Sequence, residues 1–433
     1  MTEKRISSFK KGNRCRICTG CGRCFGSRQP NVVSSFATDS PFVQYAPLDG
    51  KDREEAAGDC VAAVDIGTTT IAMQLRRILD GEVLDTFTCL NPQRNYGADV
   101  LSRIEAAERP EAKEAMQKAV RDVLEQGIRQ FRRRLAVLQL SAEENAMGAE
   151  KVKRREAIKP VLKRMVIAAN TTMVHLLMGY DVSKLGRYPF KAQTLSAVHT
   201  SLFNLDTLIL PGASAFIGGD IVSGMYALGM QEREEVTLLL DLGTNGEMVL
   251  GNKDRLIAAS TAAGPAFEGN GECYGTDLMA LTAALLQEGL LDSTGLLSEP
   301  YFENGVDVGG VHLTQQYIRQ LQMAKSAICT GIRILCNKYG LKDDTAISRV
   351  WLAGGMGYYL DAKAAAAIGL FPVELAERVK AVGNAALEGA FLYGRVPENA
   401  SGLKTPEIEV FNLAEEPDFP EAYIDGMELR PCK

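Results

Sequence analysis

One short pattern occurs twice in this chain of 433 residues, and it limits the possible folds more than any other feature. The stretch "VDIGTTT" occupies residues 64–70, and "LDLGTNG" occupies residues 240–246. Each is an apolar run that ends in Asp-x-Gly-Thr and continues into a second apolar run, which predicts a strand, a tight turn and a return strand. Because the copies lie far apart, they indicate two similar halves rather than a short-period repeat.

Each turn carries groups that suit phosphate binding. Gly67 and Gly243 let the backbone turn tightly and approach a ligand closely. Asp65 and Asp241, at the ends of buried strands, are suited to hold a hydrated Mg²⁺ ion. Amides and hydroxyls next to the glycines would form a cradle for phosphate oxygens; these candidate residues are Thr68, Thr69, Thr70, Thr244, Asn245 and Gly246. A single copy would be equally compatible with an ordinary hairpin turn.

A third glycine-rich element follows in "VWLAGGMG", residues 350–357. Gly354 and Gly355 would leave room for a flat ligand such as an adenine–ribose unit, although a tight strand-to-helix connection without a ligand is the alternative. The chain has no G-x-x-x-x-G-K-[ST] sequence and no G-x-G-x-x-G after a strand. A P-loop and a dinucleotide-binding site are therefore excluded.

Hydrophobic periodicity predicts alternating strands and helices in both halves. A strand over "CVAAVDIG" begins a meander that turns at Asp80-Gly81, a long helix spans residues 110–138, and a strand over "VLKRMVIAAN" precedes a helix capped near Asn170. In the second half we expect helices over residues 278–289 and 314–339 and over "NAALEGAFLYG". This alternation indicates an α/β protein.

Composition excludes several classes of function. The net charge is −6, so no basic field suggests nucleic acid as a partner. No apolar run reaches membrane-spanning length, and the N-terminus lacks the apolar core of a signal peptide. We therefore expect a cytoplasmic location without a membrane partner, where the ten cysteines would stay reduced rather than form disulfides.

Four cysteines in "CRICTGCGRC" form the clearest candidate metal site: Cys15, Cys18, Cys21 and Cys24. Their spacing is close to the four-iron run C-x2-C-x2-C-x3-C-P, with one residue fewer in the last gap and no proline. Structural zinc is the main alternative, but it usually uses two C-x2-C pairs that are well separated. We favour a 4Fe–4S cluster. A three-cysteine set completed by Cys60 or Cys273 is also open, and the remaining cysteines are expected to be inert: Cys89, Cys329, Cys336 and Cys432.

The two hairpins and the glycine-rich strand end, in this order, resemble the actin-like (RNase H-like, ASKHA) ATPase superfamily. The resemblance implies a duplicated two-lobe α/β fold that binds ATP and Mg²⁺ between its lobes. It maps residues 65–70 and 241–246 onto the two phosphate motifs and residues 353–357 onto the adenosine motif. The segments 218–224 and 382–390 look like the two connections at the hinge.

These motifs divide the chain as follows. We expect a cysteine-rich iron–sulfur segment at 1–35, a linker at 36–57, a first lobe at 58–228, a second lobe at 229–380, and a return to the first lobe with a C-terminal tail at 381–433.

Four further stretches resemble one branch of the superfamily, the ATP-dependent reductive activators of corrinoid enzymes. They are "NPQRNYGADVLSRI", "AANTTMVHLLMG", "AGPAFEG" and the tail around "EVFNLAEEPDFPEAYIDGM". The family implies an iron–sulfur module that passes one electron to an inactive Co(II) corrinoid and gives Co(I), with ATP use making this uphill step possible. The implied partners are a corrinoid protein of a methyltransferase system and a low-potential electron donor, and the chain could form a homodimer. Unlike this chain, the best-known bacterial activators carry a plant-type ferredoxin with C-x4-C-x2-C spacing.

Three acidic residues are further candidates for orienting water or supporting Mg²⁺: Asp220, Glu247 and Glu268. Ordinary capping or turn roles are the alternative for each. His175 lies on an apolar helix, where a histidine with satisfied hydrogen bonds in the core is favoured over a site role.

Three other functions remain open at this point. A small-molecule kinase of the same fold would transfer phosphate and show no redox dependence. An activator of 2-hydroxyacyl-CoA dehydratases would carry its cluster cysteines inside the ATPase domain rather than near the N-terminus. A non-enzymatic ATP-dependent chaperone or sensor would bind zinc through the cysteine run.

Overall fold

A computed structural model describes residues 41–43, 58–148, 159–267, 275–354, 360–396 and 407–432. These residues belong to two compact units. The first unit lies within residues 31–229 and 385–405, and the second lies within residues 230–384 and 406–433. Within the described residues, no helix combines the length and apolar character that crossing a membrane requires.

The first unit contains a six-stranded sheet and helices that the chain forms in this order: β1 (Asp59–Ile66), β2 (Thr70–Arg77), β3 (Val83–Leu90), α1 (Val100–Ala106), α2 (Pro110–Gly148), β4 (Val161–Ala169), α3 (Thr171–Met178), β5 (Val198–Leu202), β6 (Leu205–Ile209) and α4 (Gly219–Ala227).

The second unit follows with β7 (Thr237–Leu242), β8 (Asn245–Gly251), β9 (Leu256–Ala262), α5 (Gly275–Gln287), α6 (Tyr301–Asn304), β10 (Val306–Val308), β11 (Val311–Leu313), α7 (Gln315–Tyr339), β12 (Arg349–Ala353), α8 (Ala362–Ala367) and β13 (Val379–Gly383). The chain then re-enters the first unit as α9 (Ala385–Arg395) and ends in the second unit with β14 (Glu409–Phe411) and α10 (Phe419–Asp425).

Five strands of each six-stranded sheet share one order. The first sheet is β3-β2-β1-β4-β6-β5, and the second is β13-β12-β7-β8-β9-β14. In each, three antiparallel strands form a meander whose first strand pairs in parallel with a later strand, β1 with β4 and β7 with β12. The sixth strands differ: β5 is added antiparallel to β6 in the first sheet, whereas β14 is added at the opposite edge of the second sheet, parallel to β9. The shared order confirms the predicted duplicated α/β fold.

The helix α2 shows how the first core forms. Its buried side chains recur every three or four residues and make one apolar stripe against the sheet; they are Met116, Val120, Leu124, Ile128 and Phe131. Gly127 lies within this stripe, where a Cβ atom would come 2.4 Å from the Sδ atom of Met73 on β2. The absence of a side chain therefore lets the helix approach the sheet closely.

Within the described residues, the chain passes from one unit to the other between residues 229 and 230 and again between residues 384 and 385. The predicted domain limits remain a prediction. Residues 407–432 belong to the second unit rather than to the first, because β14 pairs with β9 and the tail after α10 docks on α7. The linker at 36–57 is described only at residues 41–43, and the segment 1–35 lies outside the described residues.

The tail docks on a row of buried polar side chains along α7. Gln322 donates from Nε2 to the Met427 carbonyl at 2.8 Å, and Lys325 donates from Nζ to the Glu428 carbonyl. Ser326 donates from Oγ to the Tyr423 carbonyl. Burial lowers the pKa of Lys325 to about 8. All three contacts are made to the main chain of the tail.

A disulfide joins Cys329 of this helix to Cys432 of the tail. We expected both cysteines to be reduced and inert, and that expectation was wrong for this pair. The two residues are 103 positions apart in sequence, and the docking of the tail brings them together. Cysteine spacing alone cannot reveal a pair that depends on tertiary packing.

Cys60, considered above as a possible fourth ligand, is fully buried on β1, and its Sγ atom donates to the Gly58 carbonyl. Burial raises the pKa of its thiol to about 12, so the thiol is protonated in this environment. Burial likewise raises the pKa of Cys89 to about 11. Cys273 lies outside the described residues.

Candidate functional site

The first hairpin joins β1 to β2 at residues 67–69. Asp65, near the end of β1, lies between Ala72 of β2 and Ala168 of β4. The Gly67 N–H donates to the Thr70 carbonyl at 2.9 Å and closes the turn. Asp65 and the turn residues are half-buried, so a carboxylate and a threonine-lined turn occur together at one end of the sheet.

Asn91 binds the main chain of this hairpin turn. It follows β3 directly and is 1% exposed. Its backbone N–H donates to the Thr69 carbonyl at 2.9 Å, and its Nδ2 donates to the Gly67 carbonyl at 2.8 Å. Its Oδ1 accepts from the Gln93 N–H at 3.0 Å and caps the short 3-10 helix Pro92–Tyr96. The motif that begins with Asn91 therefore supports the turn.

The second hairpin, between β7 and β8, is one residue tighter. The Gly243 N–H donates to the Asn245 carbonyl at 2.9 Å, so Thr244 alone forms the tip. The Gly264 N–H donates to the Thr244 carbonyl at 3.0 Å. Asp241 lies opposite Glu247 of β8 and beside Ala353 of β12. This unit thus also combines a half-buried carboxylate with a threonine-bearing turn.

The backbone conformation of the two hairpins does not account for Gly67 and Gly243. Neither Gly67 nor Gly243 has a positive φ angle, so the turns do not require glycine for their backbone conformation. A Cβ atom would come 3.2 Å from the Thr70 carbonyl at the first position and 3.9 Å from the Asn245 carbonyl at the second. Their small size is therefore available for close approach of a ligand rather than needed by the turn.

Gly246 and Gly354 are closely surrounded. A Cβ atom on Gly246 would come 2.0 Å from the Cδ1 atom of Ile328, so the end of this α7 side chain would have to move to admit it. Gly354 has a φ of +83°, and a Cβ atom there would come 2.8 Å from Oδ1 of Asp241. Its N–H donates to the Gly383 carbonyl at 3.0 Å. The end of β12 therefore lies directly beside the carboxylate of the second hairpin.

Asp220 lies at the start of α4, near the carboxyl end of β4. A Cβ atom on Gly218 would come 2.6 Å from the Ala169 carbonyl and 2.7 Å from Oδ1 of Asp220, which shows how closely this segment packs against β4. The Ile221 N–H donates to Asp220 Oδ1 at 2.9 Å. Burial nevertheless raises the pKa of Asp220 to about 6. The carboxyl group can therefore gain or lose a proton near neutral pH.

His175 is a core histidine, as favoured from the sequence. Its Nδ1 lies 2.7 Å from the Thr171 carbonyl, and its Nε2 accepts from the Gln193 N–H at 3.1 Å. These partners place the proton on Nδ1 and leave no ring nitrogen for a ligand. Burial lowers the pKa of His175, so the ring stays neutral.

Several predicted site residues cannot be placed. Gly355, Glu268 and the cysteine run lie outside the described residues; the run comprises Cys15, Cys18, Cys21 and Cys24. Conversely, Asn91 and Gly264 were not predicted to contact the hairpins. The available signal was that each comes shortly after the third strand of its meander and directly before a proline.

The donor set fits a magnesium–nucleotide. Carboxylate oxygens such as those of Asp65 and Asp241 are ligands that Mg²⁺ accepts, directly or through water. Main-chain N–H groups and hydroxyls at a tight turn suit phosphate oxygens. Each unit carries one such combination, and in the second unit Gly354 adds a side-chain-free surface beside it.

Family models match nearly all of the described chain. Residues 60–233 match the model described as the RACo middle region. Residues 235–287 and 273–432 match the model described as the C-terminal domain of RACo, the ASKHA domain. The boundary between the two models lies close to the boundary between the two units.

Individual proteins give the same result. The chain is 29% identical to the corrinoid activation enzyme RamQ of Eubacterium limosum, over 84% of this chain and 69% of that protein. It is 24% identical to a Co(II) methylated amine-specific corrinoid protein reductase of Methanosarcina barkeri, over 43% of this chain and 44% of that protein. The solved structure of a reductive activator for corrinoid, iron–sulfur protein matches with a TM-score of 0.70 and 28% identity, over 86% of this chain. The match spans 66% of that solved chain, just under two thirds of its length.

Proposed function

Since the chain belongs to the family of reductive activators of corrinoid proteins, we propose that it restores an inactive corrinoid protein by one-electron reduction of Co(II) to Co(I), coupled to ATP binding and hydrolysis. The observation that carries this proposal is the match to both RACo regions over residues 60–432, together with one threonine-bearing hairpin and one carboxylate in each unit.

The described residues have distinct roles in this proposal. Asp65 and Asp241 would hold Mg²⁺, which supplies positive charge against the phosphates when bound. The two hairpins would donate N–H and hydroxyl groups to phosphate oxygens, and Gly354 with Gly355 would accept the adenosine. Asp220, with a pKa near neutrality, and Glu268 are the candidates for orienting a water molecule.

The cysteine run would hold the redox centre. Four thiolates within ten residues suit a 4Fe–4S cluster, which supplies a one-electron donor when bound. Zinc remains the alternative for this run. A low-potential electron donor as second partner, a homodimer and a cytoplasmic location stay predictions.

Free-energy arithmetic explains why ATP is needed. For a one-electron step, about 59 mV corresponds to a tenfold change in equilibrium, or about 1.4 kcal/mol. A donor that lies a few hundred millivolts above the cobalt couple therefore faces a deficit of roughly 5 to 7 kcal/mol. Moving a two-state equilibrium from 1:99 to 99:1 takes about 5.5 kcal/mol of differential binding, a similar amount. ATP can supply it only if the nucleotide-bound and nucleotide-free states interact differently with the corrinoid protein.

The direct test is Co(I) formation. The full chain, a corrinoid protein in the Co(II) state and a low-potential donor are mixed without oxygen, and the Co(I) absorption is followed with and without Mg–ATP. We expect Co(I) to accumulate only with Mg–ATP. An Asp65→Asn variant should give no Co(I) even when Mg–ATP is present. Equal yields with and without ATP would contradict the proposal.

The metal content tests the redox centre separately. Protein purified without oxygen should be brown and carry about four irons per chain if the run binds a cubane cluster. A colourless protein with one zinc would instead support the chaperone or sensor function.

A further inference from the structure

The internal duplication extends beyond the hairpins to the residues that hold them. In each unit, the chain leaves the third strand of the meander and donates one backbone N–H to a carbonyl at the hairpin turn. Asn91 donates to Thr69 after β3, and Gly264 donates to Thr244 after β9. In both cases a proline follows and opens a short 3-10 helix, Pro92–Tyr96 or Pro265–Phe267.

These contacts determine where the turn N–H groups point. A trans peptide is planar, so its C=O and the next N–H lie on opposite sides. When Asn91 binds the Thr69 carbonyl, the N–H of Thr70 is directed away from Asn91. When Gly264 binds the Thr244 carbonyl, the N–H of Asn245 is directed away from Gly264. In each hairpin, the peptide that leads into the return strand is thus oriented in the same manner.

Asn91 makes a second contact that Gly264 has no side chain to make. Its Nδ2 donates to the Gly67 carbonyl at 2.8 Å. This contact orients the peptide between Gly67 and Thr68, and with it the N–H of Thr68. The amide cannot be reversed without losing contacts, because Oδ1 accepts from the Gln93 N–H. At 1% exposure, water cannot replace the Nδ2 donor. Asn91 therefore binds two carbonyls of the first turn, those of Gly67 and Thr69.

We propose that Asn91 is a positioning residue for phosphate binding, because its side chain and backbone together aim the N–H groups of Thr68 and Thr70 at a nucleoside triphosphate. This inference rests on the proposed function, in which the first hairpin binds Mg–ATP. Asn91 itself does not contact the nucleotide.

An Asn91→Ser variant removes the Nδ2 donor, which contacts the Gly67 carbonyl and, at 3.5 Å, Sδ of Met173. Serine keeps a capping oxygen for the Gln93 N–H, adds no charge and retains the backbone N–H, but it is too short to reach the Gly67 carbonyl. Asn252→Ser is the matched control. The Nδ2 of Asn252 donates to the Glu234 carbonyl at 2.9 Å and its Oδ1 accepts from the Asp254 N–H at 3.1 Å, at the end of β8 opposite the hairpin.

Two measurements on the full chain decide the matter. Calorimetry gives the Kd for Mg–ATP, and amide hydrogen exchange of the nucleotide-free protein compares the first turn with the second. For Asn91→Ser we expect about tenfold weaker Mg–ATP binding and faster exchange confined to the first turn. For Asn252→Ser we expect neither change.

Unchanged Mg–ATP affinity in Asn91→Ser would overturn the inference, and so would faster exchange in both turns, which would indicate general destabilisation. If the unaltered protein bound no Mg–ATP, the proposed function itself would fail. Normal binding by the unaltered protein and by Asn91→Ser alike would remove only the role of Asn91.

Discussion

Asp220 shows how burial changes the protonation of one side chain. It accepts a hydrogen bond from the Ile221 N–H, a contact that favours the carboxylate, yet burial outweighs this contact and raises the pKa to about 6. A group with a pKa near the working pH is suited to exchange protons during a reaction. Perturbed pKa values cluster at functional sites, which favours the proposed water-orienting role of Asp220 over a purely capping role.

The Asp220→Asn substitution should stabilise the protein at neutral pH and reduce ATP hydrolysis. The folded-state pKa is raised above the ordinary value of 3.8, so the contribution of Asp220 to stability is fully present below that value and is lost as the pH rises through about 6. Because the residue is half-buried, we expect a gain of about 1 to 3 kcal/mol at about pH 7.5. Denaturant unfolding at about pH 7.5 and about pH 4 measures it. An equal gain at both pH values would show that packing, not ionisation, is responsible.

At the scale of elements, α9 is fixed to the first sheet by a buried ion pair. Arg76 on β2 and Glu388 on α9 lie 2.6 Å apart, from Nη1 to Oε2, and both are buried. The Arg76 guanidinium also lies 3.9 Å from the centre of the Phe391 ring. Arg395, near the end of the same helix, donates from Nε to the Ile78 carbonyl at 2.8 Å. These contacts hold the helix through which the chain re-enters the first unit.

The Glu388→Gln substitution should lower the free energy of unfolding by about 3 to 5 kcal/mol, because it removes the negative charge that lies opposite the buried guanidinium of Arg76. The matched control is Asp122→Asn, which breaks the exposed Lys118–Asp122 pair of α2 and should change stability by less than about 1 kcal/mol. Chemical denaturation compares the variants. A similar small effect in both would show that the buried pair does not hold α9.

The second element-scale feature is the disulfide between α7 and the tail. A cross-link between residues 103 positions apart restricts the unfolded chain, so Cys432→Ser should lower the free energy of unfolding by about 2 to 4 kcal/mol under non-reducing conditions. Cys89→Ser, which alters a half-buried free cysteine in the other unit, is the control. Peptide mass analysis without reductant checks the bond itself. Two free thiols at these positions would contradict the cross-link.

At the scale of the whole molecule, two units whose sheets share five strands in the same order carry similar but unequal hairpins. The first hairpin has a two-residue tip held by two contacts from Asn91, and the second has a one-residue tip held by one contact from Gly264. The proposed redox centre belongs to a third segment, the cysteine run, which is separate in sequence from both hairpins. Binding of nucleotide and transfer of the electron should therefore be separable by mutation.

Replacing Cys15, Cys18, Cys21 and Cys24 by serine should abolish Co(I) formation, because the proposed cluster loses its ligands. The Kd for Mg–ATP should stay within about twofold of the unaltered protein, a difference of about 0.4 kcal/mol, because the hairpins are unchanged. Iron analysis, calorimetry and the Co(I) assay on the same preparation test this. Loss of Mg–ATP binding together with the iron would contradict separate nucleotide and redox segments.

The sequence predicted features that depend on neighbouring residues and missed those that depend on distant ones. The strand–turn–strand hairpins, the long helix α2 and the helix after Asn170 follow from local periodicity and capping, and all are confirmed. The contacts from Asn91 and Gly264 join residues about two dozen positions apart. The short strands β13 and β14 gain stability only from their partners in the sheet. Hydrophobic periodicity within one segment predicts neither these contacts nor these short strands.

The docking of the tail on α7 has a consequence for how such proteins diverge. Gln322, Lys325 and Ser326 bind main-chain carbonyls, which every amino acid provides. Exchanges at Tyr423, Met427 and Glu428 would therefore leave these three contacts in place, provided that the path of the backbone is kept. The donors on the helix have no such freedom, so relatives that retain the docked tail should preserve the three donors more strictly than the residues whose carbonyls they bind.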